Sequence, residues 1–222
     1  MLGLNTPVQR FDRATGIPDD VRVVLRSNPA RANIILSHAE KVFDHPEVIP
    51  NIDSTAQLWL VYSKSGTSDI QFILSCTEGP LGKYPIFIVP TAPIAELTPE
   101  LLETPMEALC NALLTEPGFR RQRVFSVFSV KPVTEAFAGA WERLAEIKPM
   151  EESYYDAVFM MCSRDTLVRA GPPPREDVVI ELRLAVEQDA DTIASMCEEF
   201  AATSVCLPLH HPFKQAFMDE NL

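Results

Sequence analysis

Cys76 and Glu78 lie two residues apart at the end of an apolar run, and their side chains are of types that support catalysis. A cysteine is a strong nucleophile when a neighbouring histidine takes its proton. The four histidines fall in an N-terminal helical stretch and in the tail, and the sequence places none of them beside Cys76. Glu78 could orient an amine, although a carboxylate in a turn is usually just solvated. Ser126 and Ser129 lie outside any G-x-S-x-G pattern of serine hydrolases.

His38 and His45 are seven residues apart and would lie near one another on a continuous helix. Pro46 interrupts such a helix, because proline lacks the N–H that the helix needs. No third ligand of metal-binding type follows at a matching spacing. The sequence therefore predicts no metal site.

The loop TEGPLGKY contains Gly79, Gly82 and Lys83, which are residue types that phosphate loops use. A phosphate loop requires G-x-x-x-x-G-K-[ST] with a helix after it. Here the glycines are closer together, Tyr84 follows the lysine, and a strand pattern comes next. The sequence therefore excludes this kind of nucleotide site.

Composition limits the classes of partner. The chain has 222 residues, of which 46% are hydrophobic and 23% charged, as in ordinary globular proteins. Its net charge of −12 and its pI near 4.8 argue against binding to a phosphate backbone. The arginines within 120–123 more simply solvate a helix end before a strand. We expect no nucleic-acid partner.

The compartment follows from what the sequence contains. No apolar run approaches the roughly 18–20 residues that span a bilayer, and the first residues, MLGLNTPVQRFDR, do not have the pattern of a signal peptide. The five cysteines are scattered without a C-x-x-C pair, which is typical of a reducing compartment. We expect a cytoplasmic protein without membrane association.

Alternating strands and helices must position these residues. Residues 1–20 carry turn formers and are expected to form a loose arm. Thr98 can cap a helix whose first position is Pro99, the clearest helix start in the first half. Period-two patterns predict strands at 21–25, 57–62, 69–76, 85–89, 123–130 and 154–162, and helical spacing predicts helices at 30–43, 98–114 and 132–147.

The stretch VVIELRLAVEQDADTIASMCEEFAATS, residues 178–204, changes period in its middle. Ile180, Leu182 and Leu184 alternate as in a half-buried strand, and the next apolar residues recur at three- and four-residue steps, as on a helix. Asp189 and Asp191 stand where the helix dipole favours negative charge. The stretch predicts a strand followed directly by a helix.

The segment LRLAVEQDADTIASMCEEFA resembles the opening strand and first helix of the GNAT superfamily of acyl-CoA N-acyltransferases. The order of elements before it is also similar to that of the family, including RVFSVFSV and the following helix as fifth strand and fourth helix. The resemblance implies an α/β (α+β) fold with a mixed, mostly antiparallel central sheet flanked by helices. It further implies acetyl transfer from acetyl-CoA to a small-molecule amine.

In the GNAT superfamily a glycine-rich turn between the fourth strand and the third helix holds the coenzyme A pyrophosphate. The equivalent connection here, residues 90–100, contains no glycine; Pro90, Pro93 and Pro99 lack an N–H, and Glu96 and Glu100 would repel phosphate. The sequence therefore predicts that this part does not bind acetyl-CoA in the usual way, and the catalytic and cofactor-binding residues remain unassigned.

A tyrosine near the fourth helix often serves as general acid in the family, and Tyr154 and Tyr155 lie in that region. A tyrosine pair in a strand is more often part of the core and its rim. The sequence therefore favours a structural role for this pair over a catalytic one.

The resemblance covers the chain twice. We expect a degenerate GNAT-like domain at 21–168, a linker at 169–177 that contains three consecutive prolines, and the first strand and helix of a second, truncated GNAT domain at 178–222. Three interpretations stay open: an N-acetyltransferase, a non-catalytic GNAT-like module that binds a small molecule or a protein or forms a homo-oligomer through its sheet edge, and an inactive truncated product.

Overall fold

The computed structural model describes residues 7–45, 57–64, 67, 69–79, 82–153, 156–158, 160–167 and 183–203. The chain divides into two compact units, Met1–Pro149 and Met150–Leu222. Within the described residues no helix is both long and apolar enough to cross a membrane.

The first unit is a mixed α/β structure built on one sheet, as predicted. Its strands among the described residues are β1 (Val8–Phe11), β2 (Gln57–Ser63), β3 (Ile70–Gly79), β4 (Gly82–Lys83), β5 (Ile86–Pro90) and β6 (Val127–Phe128). The order across the sheet is β1-β2-β3-β5-β6, with β4 paired to β3. All pairs are antiparallel except β5 with β6.

In the described part of this unit, four α-helices cover the two faces of the sheet: α1 (Asp19–Ser27), α2 (Pro29–Ala39), α3 (Pro99–Thr115) and α4 (Lys131–Ala145). Helix α2 continues into a π-helical turn at Glu40–Asp44. Strand residues alternate between faces, so Leu58 and Leu60 pack with α3 and α4, whereas Trp59 and Val61 pack with α1 and α2. The two faces therefore have separate cores.

The predicted strand at 21–25 is wrong, because these residues belong to α1. Val21 and Leu25 are buried four residues apart, while Val23 is 59% exposed, which is helical and not alternating burial. Asp19 and Asp20 supply negative charge to the first turn. The run VRVVL is compatible with both the strand period of two and the helical period of about 3.6. Packing against α2 and the sheet stabilises the helix.

The N-terminal residues are not a loose arm over their described part. Residues 8–11 form β1 and pair with β2, from Val8 opposite Tyr62 to Phe11 opposite Trp59. Ile17 is buried in the core beneath α1 and α2. The polar turn formers that suggested an arm form one local turn, in which the Asp12 carboxylate accepts the N–H groups of Ala14 and Thr15.

The predicted strand at 123–130 is shorter in the structure. Residues 121–123 form a 3₁₀ turn, and only Val127 and Phe128 pair with β5. The Arg123 guanidinium donates to the carbonyls of Thr77 and Tyr84, which fixes the chain in a turn before β6 begins.

The strands at 57–62, 69–76 and 85–89 and the helices at 30–43, 98–114 and 132–147 are confirmed, with ends shifted by a few residues. In the second unit α5 (Ala190–Thr203) confirms the predicted helix. The strands predicted at 154–162 and 178–186 are wrong over their described residues, 156–158, 160–162 and 183–186, which are irregular. The linker at 169–177 and residues 178–182 lie outside the described residues.

The start of α5 explains the acidic residues that precede it. The Asp189 carboxylate accepts the N–H of Val186 at 2.9 Å and two hydrogen bonds from the Arg183 guanidinium, at 2.6 and 2.8 Å. The Arg183 guanidinium, followed by the Val186 N–H, lowers the pKa of Asp189. A 3₁₀ turn at Glu187–Asp189 then leads into the helix.

Candidate functional site at the connection between β5 and α3

The connection between β5 and α3 lies where the family resemblance implies a cofactor turn. It contains a 3₁₀ turn at Ile94–Glu96. Several of its N–H groups donate within the connection or to β3: Thr91 to the Gln71 carbonyl, Glu96 to Pro93, and Leu97 to Ile94. Since these donors are already bonded to backbone carbonyls, they are not arranged to surround a phosphate.

The first turn of α3 also satisfies its own donors. Pro99 has no N–H, and the Leu101 N–H donates to the Thr98 hydroxyl at 3.4 Å and to the Thr98 carbonyl at 3.1 Å. The Leu102 N–H donates to the Thr98 carbonyl at 3.1 Å. The Glu100 carboxylate accepts its own N–H and the Thr98 hydroxyl, and these two hydrogen bonds lower the pKa of Glu100. The helix start therefore carries a fixed negative charge and has its donors occupied.

Arg31 of α2 is a functional candidate that sequence reasoning missed. Its guanidinium donates to the carbonyls of Pro90 at 3.1 Å and Ala92 at 2.6 Å. These bonds tie the N-terminal part of α2 to the end of β5. No local sequence signal marks Arg31, because its partners are about sixty residues further along the chain.

A cavity of about 260 Å³ lies beside this connection. Its apolar wall includes Phe72, and its polar wall carries two exposed carboxylates, Asp69 and Glu96. Carboxylates beside an apolar surface suit a protonated amine attached to an alkyl chain, and they repel a pyrophosphate. The residues that line the cavity are Asp69, Gln71, Phe72, Thr91, Ala92, Glu96 and Leu101.

A second polar cluster lies at the other end of the sheet, around His38. The Gln57 amide donates to the Glu78 carbonyl at 2.8 Å, so its oxygen accepts from His38 Nε2 at 2.9 Å. The His38 ring meets the Tyr84 ring edge to face at a centroid distance of 5.3 Å. Burial, with a smaller contribution from Lys41, lowers the pKa of His38 against the effect of the Gln57 bond. The cluster ties α2 to β2 and β3.

The glycines of the rejected phosphate loop have structural roles. A side chain at Gly79 would collide with the Tyr84 ring, so only glycine fits beneath it. Gly82 has a φ of +100°, which other residues rarely adopt. Both glycines therefore serve the β3–β4 hairpin, and the Tyr84 N–H donates back to Thr77.

The structure separates Cys76 from the histidine that a nucleophilic cysteine would need. Cys76 faces the core under α3 and α4, and burial raises its pKa to about 11. Thr77 pairs with Gln57, the partner of His38, so His38 lies over the opposite face of the sheet. The thiol is therefore protonated at neutral pH and has no access to His38 as a base.

The remaining candidates are also placed. The Glu78 carboxylate lies 3.9 Å from Arg123 Nε and is one-third exposed. The Ser129 hydroxyl donates to the Ile88 carbonyl at 2.6 Å, and the Ser126 carbonyl accepts from Ile86, so both residues support the β5–β6 pair. Tyr154 and Tyr155 lie outside the described residues.

His38 and His45 belong to no group of three or more potential metal ligands within the described ranges. The His45 N–H closes the π-helical turn by donating to the Glu40 carbonyl at 3.2 Å. The two histidines therefore sit at opposite ends of this turn, and the structure gives each of them a bonded role.

A comparison of the chain with models of protein families finds no match. Comparisons with curated proteins and with solved structures find none either.

Proposed function

We propose that the first unit has a GNAT-like fold and acts as a non-catalytic binding module for a small cationic ligand. The order of its elements supports the fold: one strand, two helices, three longer strands, a helix, a strand and a helix. It shares with the order predicted from the sequence the run of three strands, a helix, a strand and a helix, but it has two helices instead of one before that run. Strand β5 pairs in parallel with β6, on the other side of α3 in the chain.

The start of α3 is the observation that carries the non-catalytic role. A bound pyrophosphate needs several N–H groups aimed at it and no fixed anion nearby. Here Thr98 and the Glu100 carboxylate already accept the donors of the first turn. Phosphate binding would require the loss of these bonds and the approach of one anion to another.

The cavity beside the connection supports the choice of a cationic ligand. Asp69 and Glu96 provide negative charge on its wall, and Phe72 and Leu101 provide apolar contact for an alkyl chain. An alkyl chain that carries one ammonium group, or several ammonium groups along its length, would contact both the carboxylates and the apolar side chains. The net charge of −12 adds a long-range attraction for such a ligand.

Calorimetric titration with spermidine, a linear triamine, tests this function. We expect binding that weakens about two- to fivefold in Asp69→Asn and in Glu96→Gln, since each removes one exposed ion pair. Glu135→Gln removes the same charge from an exposed position on α4 and is the matched control. Equal weakening in all three variants, or no binding by the wild type, would contradict the proposal.

Acetyl transfer from acetyl-CoA to an amine is the second candidate, and Arg31 favours it. Its guanidinium lies against Pro90 and Ala92, where a phosphate-bearing cofactor would approach in the family. Under this alternative, Arg31→Ala abolishes acetyl-CoA binding, and Lys41→Ala, which removes an exposed cation from the π-helical turn beyond the other end of α2, leaves it intact. Acetyl-CoA binding that survives Arg31→Ala would eliminate this role for Arg31.

A further inference from the structure

Two buried polar atoms on the α1/α2 face of the sheet have no hydrogen-bond partner within the described part of the chain. They are Trp59 Nε1 and Ser75 Oγ. Both residues are 1% exposed. Buried polar atoms in native proteins almost always have a partner, because the loss of hydration is otherwise uncompensated.

The two atoms belong to neighbouring side chains. Trp59 on β2 and Ser75 on β3 are directly opposite each other in the antiparallel register, so both side chains project from the same face. The Cβ atoms of such a pair are about 4.5–5.5 Å apart. The two side chains are therefore cross-strand neighbours on this face.

The adjacent cross-strand pair on this face is also polar. Gln57 is opposite Thr77, and both are buried, at 0% and 2% exposure. The Gln57 amide uses one hydrogen on the Glu78 carbonyl and its oxygen on His38. Gln57 and Thr77 therefore keep the part of this face next to Trp59 and Ser75 polar.

The π-helical turn covers this region. Phe43 in the turn contacts the Trp59 ring at a centroid distance of 6.3 Å and an interplanar angle of 62°. The turn is π-helical, a form that occurs frequently at functional sites.

We propose that Trp59 and Ser75 form a buried binding site for one ordered water molecule beneath the π-helical turn. The indole N–H donates to the water, and the Ser75 hydroxyl completes the bridge. The site is on the opposite face from Cys76 and is independent of the binding function proposed for the β5–α3 connection.

Ser75→Ala tests the site by the sign of its effect. A hydroxyl that is hydrogen-bonded to water stabilises the fold, so we expect the variant to unfold at a lower urea concentration than the wild type. Ser129→Ala is the matched control, because that hydroxyl has a visible partner, the Ile88 carbonyl. A lower midpoint in both variants supports the site, whereas an unchanged or higher midpoint for Ser75→Ala alone would overturn it.

A double-mutant cycle that combines Ser75→Ala with Trp59→Phe separates the loss of the water bridge from the loss of packing that the smaller phenyl ring causes. If one water links the two groups, the Ser75→Ala substitution loses most of its effect in the Trp59→Phe background. A crystal structure of the wild type should then show the water within hydrogen-bond distance of Nε1 and Oγ. Additive effects, or a direct bond between the two side chains, would contradict the proposal.

Discussion

The two faces of the sheet differ in the kind of core that they bury. Beneath α3 and α4 the buried side chains are apolar, and they include Met106, Leu109 and Phe137. Beneath α1 and α2 the sheet contributes the buried polar residues of the described chain, namely Gln57, Ser75 and Thr77. Because apolar packing is non-directional and hydrogen bonds are directional, the first face mainly stabilises the fold and the second mainly fixes the position of α2.

The position of α2 matters for the connection between β5 and α3. Arg31 near the start of α2 holds the carbonyls of Pro90 and Ala92, and His38 near its end holds Gln57. The polar face therefore fixes both ends of one helix against two ends of the sheet. The comparison predicts large losses of stability on the apolar face and smaller, more specific ones on the polar face.

The largest effect is expected for Phe137→Ala on the apolar face. Phe137 is fully buried and stacks on Trp141 at a centroid distance of 6.0 Å. We expect the free energy of unfolding to fall by about 3–5 kcal/mol, measured by urea denaturation. Phe125→Ala, the same truncation at a position that is 53% exposed, should cost less than about 1 kcal/mol. Similar losses in both variants would remove the distinction between core and surface.

A pair of valines in α1 tests the packing of the α1/α2 face, and it distinguishes a helix from a strand at residues 21–25. Val21 is 2% exposed and Val23 is 59% exposed. Val21→Ala should lower the free energy of unfolding by about 1.5–3 kcal/mol, while Val23→Ala should leave it nearly unchanged. A strand would place both valines on one face, so equal losses in urea denaturation would contradict the helix.

The cap of α3 has a smaller expected effect. Thr98→Ala removes the side chain that accepts from Leu101, and it should lower the free energy of unfolding by about 1 kcal/mol. Thr98→Ser keeps the hydroxyl and serves as the control in thermal denaturation. If Thr98→Ser loses as much stability as Thr98→Ala, the hydroxyl does not cap the helix.

The smallest effect is the pH dependence from His38. Burial lowers its pKa from the ordinary value of 6.5, so the folded protein takes up this proton less readily than the unfolded chain does. This contribution is present above pH 6.5 and is lost as the pH falls below it. His38→Asn should lose less stability than the wild type between pH 7.5 and pH 5.5, whereas Val23→Ala, which retains His38, should match the wild type. Identical pH profiles for His38→Asn and the wild type would exclude the effect.

Elements with two agreeing signals could be predicted from the sequence. Thr98 and Pro99 predict the start of α3, and an apolar stripe predicts that the helix continues after them. The run VRVVL of α1 carries alternating and helical signals at once, and the choice depends on the core formed by residues distant in sequence, such as Ile73 and Val89. Sequence periodicity therefore fails where tertiary packing decides between two acceptable patterns.

The candidate site was only half visible in the sequence. The prolines and the acidic residues of the connection are local features that the sequence shows directly. Asp69, immediately before β3, and Gln71 within it line the same cavity, and Arg31 contacts the connection from α2. Their placement depends on the β3–β5 register and on the packing of α2, which no local pattern encodes.

Titration of the wild-type chain with acetyl-CoA, with desulfo-CoA as a control and spermidine in a parallel experiment, tests the central claim most directly. Because Thr98 and Glu100 occupy the first turn of α3, we predict no heat from acetyl-CoA up to millimolar concentrations and measurable binding of spermidine. Micromolar binding of acetyl-CoA together with no binding of spermidine would contradict the account and favour the acetyltransferase alternative.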